Sequence, residues 1–373
     1  MVEAPRLAEG PEAGTQPPAL SIVICTLDEH EAIGQVLGEL GEHLQGIHHE
    51  IIVVDDSADE RTGDAVNAYA AGDPRIRLLR RYNASGLSSA AIIGWDAAKG
   101  QVLALMDGDG QHDPALMKRL LNNVNNPDVD VAVASRYLDD ARSGLNGLRH
   151  GLSRAGIWLT DTALGVPLAD PLSGCFAMKH EWYAQVRHRL SGLGFKILID
   201  VVASGQRRPR TAQVATLLRP RAGGASKLDT RVVIDLIALL MEKRTQGRLR
   251  ARTIMQGMAV LASLLVQWLC AGTLLAFGRP FWQSLLLASV AGLAARLWLG
   301  YVMTPRSLRP RRGREFVQQC FAFCAHRWTD LPLNAGIAIA LCAVHCPWPL
   351  AVMVGVLLAE ARYVAGTRTG VTA

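Results

Sequence analysis

The sequence predicts an α/β domain built on a mostly parallel sheet, followed by an α-helical transmembrane domain. Three observations predict it. Up to about residue 250, short apolar runs alternate with amphipathic segments, the pattern of strands and the helices that cover them. Beyond it, Ile254–Phe277 contains no charged residue and Phe281–Met303 only Arg296; each is long enough to cross a hydrocarbon core of ~30 Å. Half of the 373 residues are hydrophobic and 19% are charged, which excludes a largely disordered chain.

Residues 1–19 hold Glu3, Glu9 and Glu12 among Pro, Gly and Ala, with no apolar core. They read as a disordered leader, not a signal peptide. The α/β domain covers 20–228. Its strands are expected at Leu20–Cys25, Ile51–Val54, Ile76–Leu79, Val102–Met106 and Val129–Ala134. Its helices are expected at Glu29–Leu44, Glu60–Ala71, Ser88–Ala98 and Pro114–Asn123. Continuously apolar strands mean a sheet covered on both faces, and such sheets bind ligands at the carboxyl ends of their strands. Residues 229–252 contain an amphipathic helix, Arg231–Glu242, with basic neighbours; it lies along the membrane interface or packs as an ordinary core helix.

Residues 253–366 are expected to form the transmembrane domain, with four helices: the two apolar runs, then Trp328–Cys346 and Pro349–Val364. Lys243, Arg244, Arg248, Arg250 and Arg252 precede the first span. Arg306, Arg309, Arg311, Arg312 and Arg314 lie between the second and third. Positive charge marks the cytoplasmic side, so both termini and the α/β domain are expected in the cytoplasm of an integral plasma- or inner-membrane protein. The net charge of +6 suits an anionic partner such as lipid headgroups or a nucleotide-sugar. Nucleic acid is disfavoured, because the basic residues cluster at membrane edges without interleaved aromatics. Seven cysteines with no CxxC spacing read as small hydrophobes in a reducing compartment.

The strongest chemical signal is Met106–Pro114 (MDGDGQHDP), directly after the fourth strand. Asp107 and Asp109, two apart at a strand end, can share one divalent cation with a diphosphate, and Gln111 can add a carbonyl oxygen. Hard oxygen donors select Mg²⁺ or Mn²⁺. The competing reading, a helix N-cap before Pro114, accounts for Asp113 alone. After the second strand, Asp55 and Asp56 can accept from a base N–H or ribose hydroxyls, or cap the helix near Glu60. Cys25–Glu29 closes the first strand beside them. A third signal is cationic: Arg136 at a strand end, Arg149 and Ser153 four apart, and the glycine-bearing loop Arg221–Lys227. Arginine forks fit phosphate oxygens.

The runs Thr26–Glu29, Val53–Ser57, Gly86–Ala90, Met106–Pro114, Ser135–Tyr137, Asp170–Gly174, Gly194–Leu198 and Arg221–Lys227 resemble the dolichol-phosphate mannosyltransferase (polyprenyl-phosphate glycosyltransferase) family, a branch of the GT-A, family 2 glycosyltransferases. The likeness runs in order from about residue 20 to 245. The C-terminal helices resemble a GtrA-type membrane domain, on hydropathy more than on motifs. The resemblance implies a GT-A fold and transfer of a hexose from a nucleoside-diphosphate sugar to a polyprenyl or dolichyl monophosphate, with inversion. It implies that Asp107, Asp109 and Gln111 serve metal and diphosphate. Thr26, Glu29, Val54 and Asp56 would form the nucleotide pocket, with Gly108 beside it. Arg136, Arg149, Ser153, Arg221 and Lys227 would hold the donor diphosphate and acceptor phosphate.

There are two departures. The usual Pro-Thr-Tyr-Asn-Glu is Cys25-Thr26-Leu27-Asp28-Glu29, which removes an aromatic near the base, and the common Asp-Ala-Asp is Asp107-Gly108-Asp109. GDP-mannose is the family default; UDP-glucose or a UDP-N-acetylhexosamine are alternatives. A processive polysaccharide synthase would need Gln-x-x-Arg-Trp, and the near match Cys324–Trp328 lacks the Gln. A lipid-linked sugar carrier with a non-catalytic α/β domain is the reading from another class.

Overall fold

The computed structural model describes residues 16–82, 86–136, 138, 168–194, 196–220, 230–303, 313–327 and 329–368. These fall into two compact units. One takes in the described residues of 16–82, 87–192 and 196–220; the other takes in 86, 193–194 and those from 230 onward. The residues read as a leader before 16 lie outside the described part, as does the basic segment 304–312.

The first unit is an α/β sandwich. Seven strands are described: β1 (Leu20–Thr26), β2 (His49–Asp55), β3 (Ile76–Arg80), β4 (Val102–Asp107), β5 (Val131–Ser135), β6 (Phe176–Lys179) and β7 (Thr211–Ala215). Their order is β3-β2-β1-β4-β6-β5-β7. All neighbours run parallel except β6, which is antiparallel to both β4 and β5. Helices α1 (Ile33–His43), α2 (Arg61–Ala70), α3 (Leu87–Asp96), α4 (Ala115–Val124), α5 (His180–Val186) and α6 (Ile197–Ala203) join the strands.

Strict alternation along the strands makes two cores. Leu20, Ile22 and Ile24 of β1 share one face with Ile51, Val53, Ala104 and Met106, and pack against Val36, Leu40, Leu116 and Leu120 of α1 and α4. Val23, Ile52, Val54, Leu103 and Leu105 occupy the other face with Ala91 and Trp95 of α3 and Trp182 of α5. Period-2 side chains on a doubly covered sheet bury nearly every residue of β1, β2, β4 and β5, while β3 and β7 at the edges are mostly half-buried. At ~1.5–3 kcal/mol for each fully buried large aliphatic side chain, the two cores hold the strand ends rigidly.

All five expected strands run one residue further at their carboxyl end, to Thr26, Asp55, Arg80, Asp107 and Ser135, and the fifth starts two residues later than expected. Polar terminal residues stop a hydropathy pattern before the hydrogen-bonded ladder stops. Helix α1 starts at Ile33, four residues inside its expected span, because Asp28 adopts φ 58° and Glu29 O is taken by the N–H groups of Ala32 and Ile33 in a turn.

The second unit is helical: α7 (Thr230–Arg244), α8 (Ala251–Ala276), α9 (Phe281–Met303), α10 (Gly313–Arg327), α11 (Asp330–Ala343) and α12 (Trp348–Arg368). Helices α8 and α9, with mean hydropathies of 1.9 and 1.7, are long and apolar enough to cross a membrane. The other two expected spans correspond to α11, of 14 residues, and α12, which carries Glu360 and Arg362. Helix α10 lies where the sequence reads as a basic loop running into the third span. A small apolar cluster joins α7 to the start of α8 through Ala238, Ala251, Ile254 and Met255.

A polar seam crosses this unit. Asn334 of α11 donates to Gln267 Oε1 of α8 at 2.6 Å and to Ser289 Oγ of α9 at 3.2 Å; Ser263 Oγ donates to Gly292 O at 3.0 Å. Two glycines make room for the amides. A β-carbon on Gly292 would stand 2.7 Å from Gln267 Cδ, and one on Gly355 would stand 2.8 Å from Asn334 O. Small residues that admit a polar neighbour are how helices associate where hydrophobic driving force is weak.

Candidate active site

The sheet order puts β1 between β2 and β4, both parallel to it. Connections leave β1 toward one edge and reach β4 on the other, so a crevice opens at their carboxyl ends. Register fills that edge: Thr26 pairs with Asp55, Cys25 with Asp107 and Asp55 with Arg80.

Asp55 is the buried hub of one half. It is 0% exposed; Thr26 Oγ1 donates to its Oδ1 at 2.9 Å and Ser57 Oγ at 2.6 Å. Asp28 N donates onward to Ser57 Oγ at 2.8 Å, tying the Leu27–Glu29 turn to the β2 loop. Asp56 points elsewhere. Arg81 Nε donates to its Oδ1 at 2.6 Å, Arg81 Nη2 to its Oδ2, and Arg81 Nη1 to Ser89 Oγ at 2.9 Å. Helix α2 takes its local N-terminal contact from neither residue, since Arg61 N donates to Asp59. Val54 is fully buried in the second core, so only its main chain reaches the edge. Glu29 is half-buried and its carbonyl belongs to the turn before α1.

Asp107 ends β4 with its carboxylate about one-third exposed, and His112 Nε2 lies 3.7 Å from it. Asp109 is 7% exposed. Its Oδ1 accepts from Gln111 N at 3.1 Å, across a turn in which Gly110 takes φ 74°. Gln111 Nε2 donates to Arg219 O at 3.3 Å. Asp113 Oδ1 accepts from Ala115 N at 3.0 Å, so it serves the start of α4. The glycine of Asp107-Gly108-Asp109 has a packing cause: a β-carbon on Gly108 would stand 2.8 Å from Thr26 Cγ2. At the end of β5, Arg136 grips Asp170 with Nε at 2.6 Å and Nη2 at 2.9 Å.

The charges act on their neighbours. The Cys25 thiol is pushed far up by burial, and then by Asp107 and Asp56, so it stays neutral. The Lys196 ammonium is drawn below its ordinary value by burial; Asp107 and Asp170 favour its charge, and Arg136 opposes it. Thr26, Asp56, Asp107, Gly108, Asp109 and Gln111 thus share the carboxyl-end face of the sheet, with Arg136 at the end of β5. Arg149, Ser153, Arg221 and Lys227 lie outside the described residues.

The sequence reading treated Asp55 and Asp56 alike, as base or ribose acceptors or helix caps, and assigned no role to Arg81, Asp170, Gly174 or Lys196. The strand-end rule applied to β3 points to Arg80–Arg81. Asp170 and Gly174 needed the antiparallel β6, whose four residues are too few to show a period.

Residues 21–187 match the Glycosyl transferase family 2 domain. The dolichol-phosphate mannosyltransferase of Saccharomyces cerevisiae is 31% identical over 201 residues, 52% of this chain and 73% of that protein. The chain belongs to this family. The dolichol-phosphate mannosyltransferase of Pyrococcus furiosus is also 31% identical, over 221 residues, 58% of this chain. The chain spans 61% of the length of that relative. A solved glucosyl-3-phosphoglycerate synthase from Mycobacterium tuberculosis aligns with TM-score 0.47 at 22% identity, over 61% of this chain and 80% of that one. As a dolichol-phosphate mannosyltransferase relative, the chain carries the family's α/β GT-A fold, with the antiparallel β6 inside an otherwise parallel sheet.

The donor chemistry in this GT-A site fits a divalent cation of the Mg²⁺ class. Among the described residues no three His, Cys, Asp or Glu side chains converge into a self-sufficient cage. Two strand-end carboxylates with the remaining positions left to substrate phosphates are how such hard cations are held. The close approach of Gly174 to the Asp107 carboxylate, where a β-carbon would stand 2.6 Å from Cγ, leaves that carboxylate a shaped seat.

Proposed function

We propose that the chain is a membrane-bound inverting glycosyltransferase that moves a hexose, mannose from GDP-mannose, to a polyprenyl monophosphate. The observation that carries this reading is the shared strand-end face of Asp56, Asp107 and Asp109, in a chain whose α8 and α9 are long and apolar enough to anchor it beside a lipid acceptor.

In this reading Thr26, Glu29, Val54, Asp56 and Gly108 line the nucleotide pocket. Asp107, Asp109 and Gln111 would hold Mg²⁺ or Mn²⁺, which would neutralise charge on the leaving diphosphate. Arg136, Arg149, Ser153, Arg221 and Lys227 bind the two phosphate groups, which otherwise repel one another. An acceptor phosphate oxygen attacks the anomeric carbon, the bond from that carbon to the diphosphate oxygen breaks, and the nucleoside diphosphate leaves. A phosphate monoester has a second pKa of ~6, so near neutrality the nucleophile is already deprotonated and no protein base is needed. Positioning and charge stabilisation do the rest. In-line attack converts an α-linked donor into a β-linked lipid. The α/β unit and both termini face the cytoplasm, and the helical unit is GtrA-like.

Leu27, in place of an aromatic near the base, favours keeping one alternative: the same transfer from UDP-glucose or a UDP-N-acetylhexosamine. The test is a donor panel. Membranes carrying the full chain receive polyprenyl phosphate, Mg²⁺ or Mn²⁺, and labelled GDP-mannose, UDP-glucose or UDP-N-acetylglucosamine in turn. Label entering the organic phase from GDP-mannose alone is the expected result. Transfer from a UDP-sugar alone would overturn the donor, and none from any donor would leave the carrier reading standing.

A further inference from the structure

The Asp170–Gly174 turn meets the candidate site at both of its ends. At one end both oxygens of Asp170 accept from Arg136, through Nε at 2.6 Å and Nη2 at 2.9 Å, and the Arg136 main-chain N–H lies 3.4 Å from Asp170 Oδ2. The Asp170 side chain is 1% exposed, that of Arg136 27%. At the other end Gly174 presses on Asp107. The turn itself is fixed. Ser173 N donates to Asp170 O at 3.2 Å, Ala169 N to Gln213 Oε1 of β7 at 2.9 Å, and Ala134 N of β5 to Cys175 O at 3.0 Å.

A carboxylate this buried is costly unless a cation and hydrogen bonds compensate it. Arg136 does so with the Nε–Nη2 edge of its planar fork, and that commitment fixes the plane of the guanidinium and turns its Nη1 edge away from Asp170. Asp170 is enclosed and bound at both oxygens, so it acts through Arg136.

We infer that Asp170 is a positioning residue for sugar transfer: it holds Arg136 by one guanidinium edge and thereby sets the direction in which the other edge meets a phosphate. The inference rests on the reading of this site as a glycosyl-transfer centre. Lys196, whose charged neighbours are Asp107, Arg136 and Asp170, would feel the same loss of order.

A double-mutant cycle on the full chain in membranes tests it, with D170N, R136Q and the pair read on kcat and on the KM for the donor. D170N is expected to lower kcat by roughly 10²-fold, the scale of a misplaced binding group. The double variant is expected to match R136Q alone. Losses that multiply would mean that Asp170 acts independently of Arg136, and would overturn the inference. Chemical rescue separates positioning from mere folding: exogenous guanidine should restore R136G, and not R136G/D170N. Equal rescue of both would also overturn it. Should D170N fail to fold, R136K carries the test. Lysine keeps the charge but has no planar fork that can be held at one edge while a second edge is presented to a phosphate, so a loss as large as that of R136Q is expected, and a wild-type rate would contradict the inference. The same cycle is read on binding of GDP or UDP with Mn²⁺, which needs no turnover. Absent transfer by the wild type with the binding cycle intact would fault the functional reading and leave the role of Asp170 supported.

Discussion

A methyl group at Gly174 would have to occupy space 2.6 Å from Asp107 Cγ. The three atoms nearest to that methyl all belong to the Asp107 carboxylate, so G174A should displace Asp107 while both cores stay intact. The expected outcome is a loss of transfer and of Mn²⁺-dependent nucleotide binding on the order of 10²-fold, with little change in thermal midpoint. A G174A enzyme with unchanged metal dependence would remove Asp107 from the site.

Asp130 is a stability residue of the same unit. Burial, the largest single influence, pushes its carboxyl up, but hydrogen bonds from Arg207 and Arg210 together hold it well below the usual carboxylate range. Glu50 behaves alike: burial opposes, and Ser21, the Lys99 N–H and Arg77 prevail. Both folded values lie below the unfolded ones of ~3.9 and ~4.3. Their stabilisation is therefore complete above about pH 5 and is lost as pH falls through those values. D130N should lower stability at neutral pH by ~1–2 kcal/mol, since its arginine partners are half exposed, and should flatten the acid limb. Thermal midpoints across that pH range check both.

At this scale the placement of Asp107, Asp109 and Gln111 at the end of β4 was legible, because a strand end followed by paired carboxylates is a local pattern. Asp55 was not separable from Asp56. Which of two adjacent carboxylates turns inward to Thr26 and which meets Arg81 depends on the pleat and on β3, and neither is local.

Among the elements, the polar seam of α8, α9, α11 and α12 is where a small change should have the largest effect. A valine at Gly292 would place its β-carbon 2.7 Å from Gln267 Cδ; overpacking of this kind costs ~1–3 kcal/mol. N334L removes two hydrogen bonds, worth ~0.6 kcal/mol each on average between membrane helices. Both variants should lower the detergent-unfolding midpoint of the full chain, G292V by more. Equal midpoints for wild type and G292V would show that the seam does not set helix packing. The five main strands and four of their helices were readable from alternation. The strands β6 and β7 were not, since FAMK and TAQVA are too short or too polar to carry a period. Helix α10 was hidden because GREFVQQCFAFCAHR continues a basic segment and shows no sustained apolar face.

For the whole molecule, composition shifts near residue 250, and beyond it α8 and α9 are long and apolar enough to cross a membrane; the proposed function has the chain change solvent there. The chain should stay in the membrane pellet after alkaline carbonate extraction; release into the supernatant would mean that α8 and α9 are core helices of a soluble protein. The central claim is that the acceptor phosphate is itself the nucleophile, at a centre organised by Asp109. The most direct measurement is acceptor dependence: label transferred from the preferred donor by the wild type and by D109N, with polyprenyl monophosphate or with unphosphorylated polyprenol. The account predicts an acid-labile labelled lipid from the monophosphate and wild type only, with a rate that climbs through the second phosphate ionisation near ~6 and then levels. Transfer to the free alcohol, or undiminished transfer by D109N, would contradict it.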